Sequence, residues 1–222
     1  MSAQAQVKQA SEGAGDGAKR HQIIEGARKI FLAQGFDAAS MNDIARAAGV
    51  SKGTLYVYFA DKEKLFAAIV EEECSAHAES VFDLDPANHD VEAALIRFGN
   101  AFVEFLCRPA KASALRTVVA IADRMPEIGK AFYETGPAVG IAQLASYLRA
   151  QADAGVLAIA DFEVAAAQFM DACQSTLFKP VLFNFSPAPA PDQIDHVVRI
   201  AVRTFMAAYA VAGIRGQMSE VR

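Results

Sequence analysis

The chain has 222 residues, with 21 Lys and Arg against 26 Asp and Glu, for a formal net charge of −5. Hydrophobic residues make up 53% and charged ones 21%, enough to bury a sizeable core, which excludes a disordered chain. The acidity excludes a protein that is basic all over, but not one that is basic at one end.

Alanine supplies 46 residues and Val plus Ile 31, so strong helix formers outnumber the main aliphatic strand formers and an all-α fold is expected. No apolar stretch approaches the ~18 residues of a membrane-spanning helix. The N-terminal MSAQAQVKQASEGAGDGAKR lacks the apolar region of a secretory signal. Three widely spaced cysteines, Cys74, Cys107 and Cys173, read as reduced thiols rather than a disulfide framework. The expected setting is the cytoplasm.

Residues 1–17 are rich in Gln, Ala, Ser and Gly without apolar periodicity, and are expected to form a disordered tail. From Lys19 the pattern turns helical, with Ile24, Ala27 and Phe31 on one face and Gly35 closing the run. Ser40 followed by Asp43 reads as an N-cap with a capping-box-like partner, opening a short helix that Gly49 stops. Ser51 offers the next N-cap, for a helix from Lys52 to about Phe59 with Leu55 and Phe59 facing inward. Asp61 caps a longer helix toward Asp85-Pro86. Two short helices joined by a glycine turn, with a third before them, carry the signature of a helix-turn-helix.

Beyond it the pattern predicts helices over 91–107 (stopped at Pro109), 112–123, 137–154 and 161–178, a turn from Pro126 through Tyr133, and a last helix from about Asp192 to Ala212-Gly213. Lys179-Pro180 is expected to bend or end the fourth of these, and Ser186 to Pro191 to form a stiff extended loop. Charge divides along the same line. Residues 18–64 hold eight basic and five acidic residues, whereas 65–222 hold twelve basic and nineteen acidic. A small basic head on an acidic body suits DNA binding by one end.

The segment Lys29-Ile30-Phe31…Gly35-Phe36, Ser40-Met41-Asn42-Asp43-Ile44-Ala45, Ala48-Gly49-Val50-Ser51-Lys52-Gly53-Thr54-Leu55-Tyr56-Val57-Tyr58-Phe59…Lys62-Glu63…Leu65-Phe66 resembles the TetR family of transcriptional repressors. Farther on, Arg116-Thr117-Val118…Met125-Pro126-Glu127…Phe132-Tyr133 and Cys173-Gln174…Leu177-Phe178-Lys179 are similar to the ligand domains of AefR-like members. The resemblance implies a DNA-binding domain over 18–64, a ligand-binding and dimerisation domain over 65–222, and no enzymatic activity. It implies operator contacts at the positions of Ser40, Asn42, Lys52, Gly53, Thr54, Tyr56, Tyr58 and Lys62. Of these, Asn42, Lys52, Gly53, Thr54 and Tyr56 correspond to positions near bases.

The residue chemistry agrees. A glycine at the first turn of a groove-reading helix lets backbone approach DNA, and Lys52 and Thr54 present donors beside it. Alternation of Tyr56 and Tyr58 with Leu55 and Phe59 puts the phenols outward, where they suit phosphate and thymine methyls. Val57 stands where many members carry a polar or aromatic residue, which leaves the operator sequence open.

The resemblance also implies a homodimer through the last two helices, about 161–178 and 192–212. Val164, Ala167, Gln168 and Asp171, and Val197, Ala201, Phe205 and Ala208, mark the candidate faces, with burial in the chain's own core as the competing reading. A pocket for a small hydrophobic or aromatic effector is expected among Phe102, Phe105, Arg116, Met125, Phe132, Tyr147, Phe169 and Gln174. No cofactor and no metal site are expected. An activator, or a regulator responding to redox state or metal through the cysteines or the Cys74/His77 pair, is the alternative on the same fold.

Overall fold

The computed structural model describes residues 3–81 and 84–211, with side chains described at 16–70, 72 and 84–211. The expected ends of the fourth helix near Asp83 and of the last at Ala212-Gly213, and the side chains of Cys74 and His77, lie outside them. Eleven helices and no strand are found among the described residues, so the chain is all-α. It divides into a first unit, residues 1–72, and a second, residues 73–222. The boundary falls within one helix, eight residues beyond the division that the motif suggests.

In the first unit α1 (Ala3–Ala38) is followed by α2 (Met41–Ala48), α3 (Lys52–Tyr58) and the start of α4 (Lys62–Val81). The helix of α1 begins well before Lys19 and takes in most of the expected tail. Its Ala, Gln and Lys residues cost little in a helix even where no apolar stripe calls for one. The caps follow the sequence: Ser40 accepts from the Asp43 amide at 3.2 Å and Ser51 from the Thr54 amide at 3.0 Å. Asp61 accepts from the Lys64 amide at 2.7 Å. Gly49 closes α2 at φ +64°, a left-handed conformation that glycine adopts without cost.

Ile23, Ile24, Ile44, Leu55 and Leu65 are fully buried, and Phe31, Phe36 and Phe66 form an aromatic trio with centroids 5.4–5.5 Å apart. Gly26 sits where α1 crosses α2. A Cβ there would lie 2.6 Å from the Ala48 backbone.

The second unit holds α5 (Val91–Leu106), α6 (Pro109–Ile121), α7 (Pro126–Thr135), α8 (Pro137–Asp153), α9 (Phe162–Gln174), α10 (Phe178–Leu182) and α11 (Pro191–Tyr209). The expected turn from Pro126 through Tyr133 is instead the helix α7, and three boundaries also differ from expectation for identifiable reasons. Pro109 starts α6 instead of merely stopping α5, because a proline at the first helical position gives up an amide that has no partner anyway. Pro180 does not end one long helix. The break comes at 175–177 and α10 restarts so that Pro180 falls in a first turn. Finally α11 ends at Tyr209, because Ala210 turns extended and bridges to Leu157.

Phe98, Phe169 and Phe205 fill the centre of this unit, with Phe169 edge-on to Phe205 at 5.4 Å. Fully buried Gln151 donates to the Pro86 carbonyl at 2.9 Å and accepts from His89 Nδ1 at 2.8 Å. Its oxygen can only accept, so Nδ1 carries the hydrogen. With the Tyr147 hydroxyl donating to the Asn88 carbonyl at 3.0 Å, this pins the 86–89 turn onto α8.

Candidate DNA interface

Among the residues of α3, Leu55 is buried, Thr54 and Tyr58 are half-buried, and Lys52, Gly53, Tyr56 and Val57 are exposed. The exposed four sit at i, i+1, i+4 and i+5, which is one face of a helix turning about 100° per residue. Val57 is 82% exposed and lies beside Tyr56 on this face. The Lys52 ammonium lies 5.9 Å from the centre of the Tyr56 ring, which gathers charge and aromatic surface at one place. Gly53 is open: the nearest heavy atom to a Cβ there is Ser51 Oγ at 3.8 Å. Nothing among the described residues requires a glycine in this helix.

Four expected contacts, Tyr58 among them, have other partners in the free chain. The Lys62 ammonium donates to the carbonyls of Phe36 (3.0 Å), Asp37 (3.2 Å) and Ala39 (3.4 Å) and lies 4.7 Å from the centre of the Phe36 ring. It closes the C-terminal end of α1, so a phosphate contact through Nζ would compete with that cap. The Ser40 hydroxyl donates to Asp43 at 2.5 Å, and Asp43 in turn pairs with Arg46 at 2.5 Å. The Thr54 hydroxyl shares a hydrogen bond with Ser51 at 2.7 Å.

Tyr58 does not point out with Tyr56. Alternation is a strand pattern, and two helical residues turn the side chain about 200° away. Its hydroxyl donates to Asp16 Oδ1 at 2.6 Å, and that bond holds the phenol above its ordinary pKa. Asn42 is exposed in the first turn of α2. Sequence reasoning missed Asp16 entirely, since no pattern marks it. A helical period in place of the alternation would have brought Val57 onto the exposed face and taken Tyr58 off it.

The eight candidate effector residues are dispersed. Phe102, Tyr147 and Phe169 belong to the packed core. Arg116 donates to the carbonyls of Val181 (3.3 Å) and Leu182 (3.0 Å), fastening α6 to the end of α10. Gln174 donates to Asp171 at 2.8 Å. Phe105, Met125 and Phe132 are half-buried. A groove of about 500 Å³ between α5, the start of α6 and the proline loop is lined by Asn100, Glu104, Cys107, Pro109, Pro189 and Ile194 among others, and by none of the eight. Two members of the expected dimer face, Ala201 and Phe205, lie in the core of the second unit, whereas Val164, Gln168 and Asp171 on α9 are exposed.

The two described cysteines are buried, and burial pushes the thiols up, Cys107 to about 11 and Cys173 to about 12. The thiolate is the reactive form, so both are expected to resist alkylation by iodoacetamide in the native protein at neutral pH and to react after denaturation. Modification of either in the folded chain would revive the redox-responsive alternative. Among the described residues no three His, Cys, Asp or Glu side chains are grouped as a metal site, and no helix is long and apolar enough to cross a membrane.

Comparison with known proteins decides the family. Residues 23–69 match the model for bacterial regulatory proteins of the tetR family, and residues 93–211 match that for the C-terminal domain of AefR-like transcriptional repressors. The chain belongs to the TetR family of transcriptional regulators. Like them it is a DNA-binding regulator and not an enzyme.

It is similar to a Mesorhizobium loti chain assigned to that family, with a TM-score of 0.82 and 29% identity over 88% of this chain and 98% of that one. It is also similar to the flavonoid-responsive regulator FrrA, with a TM-score of 0.74 and 31% identity over 88% and 99% of the two chains. The transcriptional repressor AcnR of Corynebacterium efficiens is 40% identical over 62 residues, 28% of this chain. That match spans a third (33%) of AcnR's length.

Proposed function

We propose that this TetR-family chain is a cytoplasmic repressor that binds a two-fold symmetric operator as a homodimer and is released by a small aromatic or hydrophobic effector. The observation that carries the reading is α3. It presents Lys52, Gly53, Tyr56 and Val57 on one exposed face and spends a glycine that the fold does not need. Lys52, Tyr56 and Val57 are the base-edge readers, Val57 and the Tyr56 ring suiting thymine methyls. Ser40, Asn42, Thr54 and Tyr58 serve the backbone or adjoining bases. Lys62 acts chiefly by holding the end of α1, with the free amides at the start of α4 left for phosphate.

One such helix reads too few bases for an address, and pairing two heads supplies the rest. The second copy fits the outer faces of α9 and α11. Val164 and Ile200 are 49% and 43% exposed there. Exposed Glu163 and Asp171 make α9 acidic, and exposed Arg203, one turn from Ile200 on α11, offers a cation to meet them, which suits an isologous seam. Ile200→Arg is expected to convert the dimer to monomer in sedimentation without lowering thermal stability. An unchanged dimer would remove this face from consideration.

The aromatic effector class is supported by the likeness to FrrA, a flavonoid-responsive regulator, over nearly its whole length. Phe105, Met125 and Phe132 keep surface to offer such a ligand. Selection of bound duplexes from a random library tests the reading as a whole. A palindromic motif with half-sites about 34–36 Å or a multiple apart is expected, and an asymmetric motif or none would overturn it.

A further inference from the structure

Tyr58 carries one hydroxyl hydrogen, and in the free chain it is spent on a carboxylate 42 residues away. Asp16 and Tyr58 belong to the same unit of the chain, and among the described residues the two cations one turn along α1 from Asp16 have other partners. Arg20 pairs with Glu72 at 3.2 Å and lies 5.4 Å from the centre of the Phe59 ring, and Lys19 donates to Gln22 at 3.0 Å. No base is needed to explain the bond. What stands out is its acceptor: an exposed anion holds the donor that a backbone phosphate oxygen would take.

We propose that Asp16 is a built-in competitor for DNA at the Tyr58 hydroxyl. The carboxylate of α1 occupies the place of a phosphate oxygen in the free chain and must give it up on binding. One hydrogen cannot serve both anions, and a carboxylate left beside a phosphate repels it. Asp16 therefore lowers affinity without reading sequence, since phosphate contacts position the protein and do not discriminate bases. Such a brake keeps the head from being held on non-cognate DNA by charge alone. The inference rests on the DNA-binding reading above.

The test is titration of an operator duplex and a scrambled duplex with four full-length chains: wild type, Asp16→Ala, Tyr58→Phe and the double variant. Asp16 is exposed and alanine is a good helix former, so the fold should be undisturbed, which circular dichroism checks. At low salt Asp16→Ala is expected to tighten both duplexes by about fivefold per head, the size of one close charge pair in water, and so by about 25-fold for a dimer with both heads bound. The gain should shrink toward one as salt screens the repulsion. In the Tyr58→Phe background most of it should vanish, because without the hydroxyl neither anion is drawn to the shared place and the two no longer meet at close range.

An Asp16→Ala chain no tighter than wild type would overturn the inference alone, and so would a gain undiminished by Tyr58→Phe. A wild-type chain that bound neither duplex would overturn the regulator reading and the inference with it.

Discussion

Gly53→Leu is expected to fold like the wild type and to bind no operator. The two halves of that result have separate causes. Among the described residues nothing opposes the substitution, since the closest atom to a Cβ at Gly53 is Ser51 Oγ at 3.8 Å and the position is exposed. Replacing glycine inside a helix should even stabilise the head, by roughly 0.5–1 kcal/mol. Against DNA the same side chain holds the N-terminal turn of α3 off the groove floor. Lys52, Tyr56 and Val57 then lose their reach together. At about 1–3 kcal/mol per base contact in each of two heads, affinity should fall by at least about a thousandfold. Unfolding melts and duplex titrations of the same preparation check both halves. A folded Gly53→Leu chain that bound with wild-type strength would show that α3 is not the reading helix.

Gly26→Val is expected to lose DNA binding for the opposite reason. A Cβ at Gly26 would lie 2.6 Å from the N, Cα and Cβ of Ala48, and two of those atoms are backbone that cannot step aside. Helices α1 and α2 would have to separate, breaking the Gln22 side-chain bond to the Ala48 carbonyl at 2.6 Å and opening the core around Ile23, Ile44 and Leu55. Overpacking of this kind costs about 3 kcal/mol or more, a large share of the stability of a three-helix head. Hydrogen exchange should report lost protection across residues 23–59. Protection equal to wild type would contradict the packing described for α1 and α2. The two glycines thus separate a site that the fold leaves empty for DNA from one that the fold itself fills.

The difference between them was only half legible in the sequence. Gly53 could be read, because a glycine one residue into a helix beside Lys, Thr and Tyr has no local explanation. Gly26 could not, since its reason is a backbone crossing 22 residues away. Caps at Ser40, Ser51, Asp61 and Asp161 were legible for a related reason: a capping hydroxyl or carboxylate reaches an amide three residues on. Where a side chain reaches across the fold, local pattern fails. Lys62 reads as an operator contact but closes α1, and Arg116 reads as a pocket group but fastens α6 to α10. Ala201 and Phe205 share a helix with exposed Ile200, and periodicity alone does not say which stripe of α11 faces the chain's own core. Asp16 lies in a segment whose composition gives no apolar period, so nothing before the fold connects it to Tyr58.

The account stands on the claim that the basic head reads DNA sequence and does not merely bind polyanion. Competition between a duplex selected by the protein and its scrambled counterpart, followed across a range of salt concentrations, tests this most directly. Both affinities are expected to fall steeply with salt, because phosphate contacts release counterions. The selected duplex is expected to stay tighter by about a thousandfold or more throughout. Equal affinity for the two duplexes at every salt concentration would contradict it.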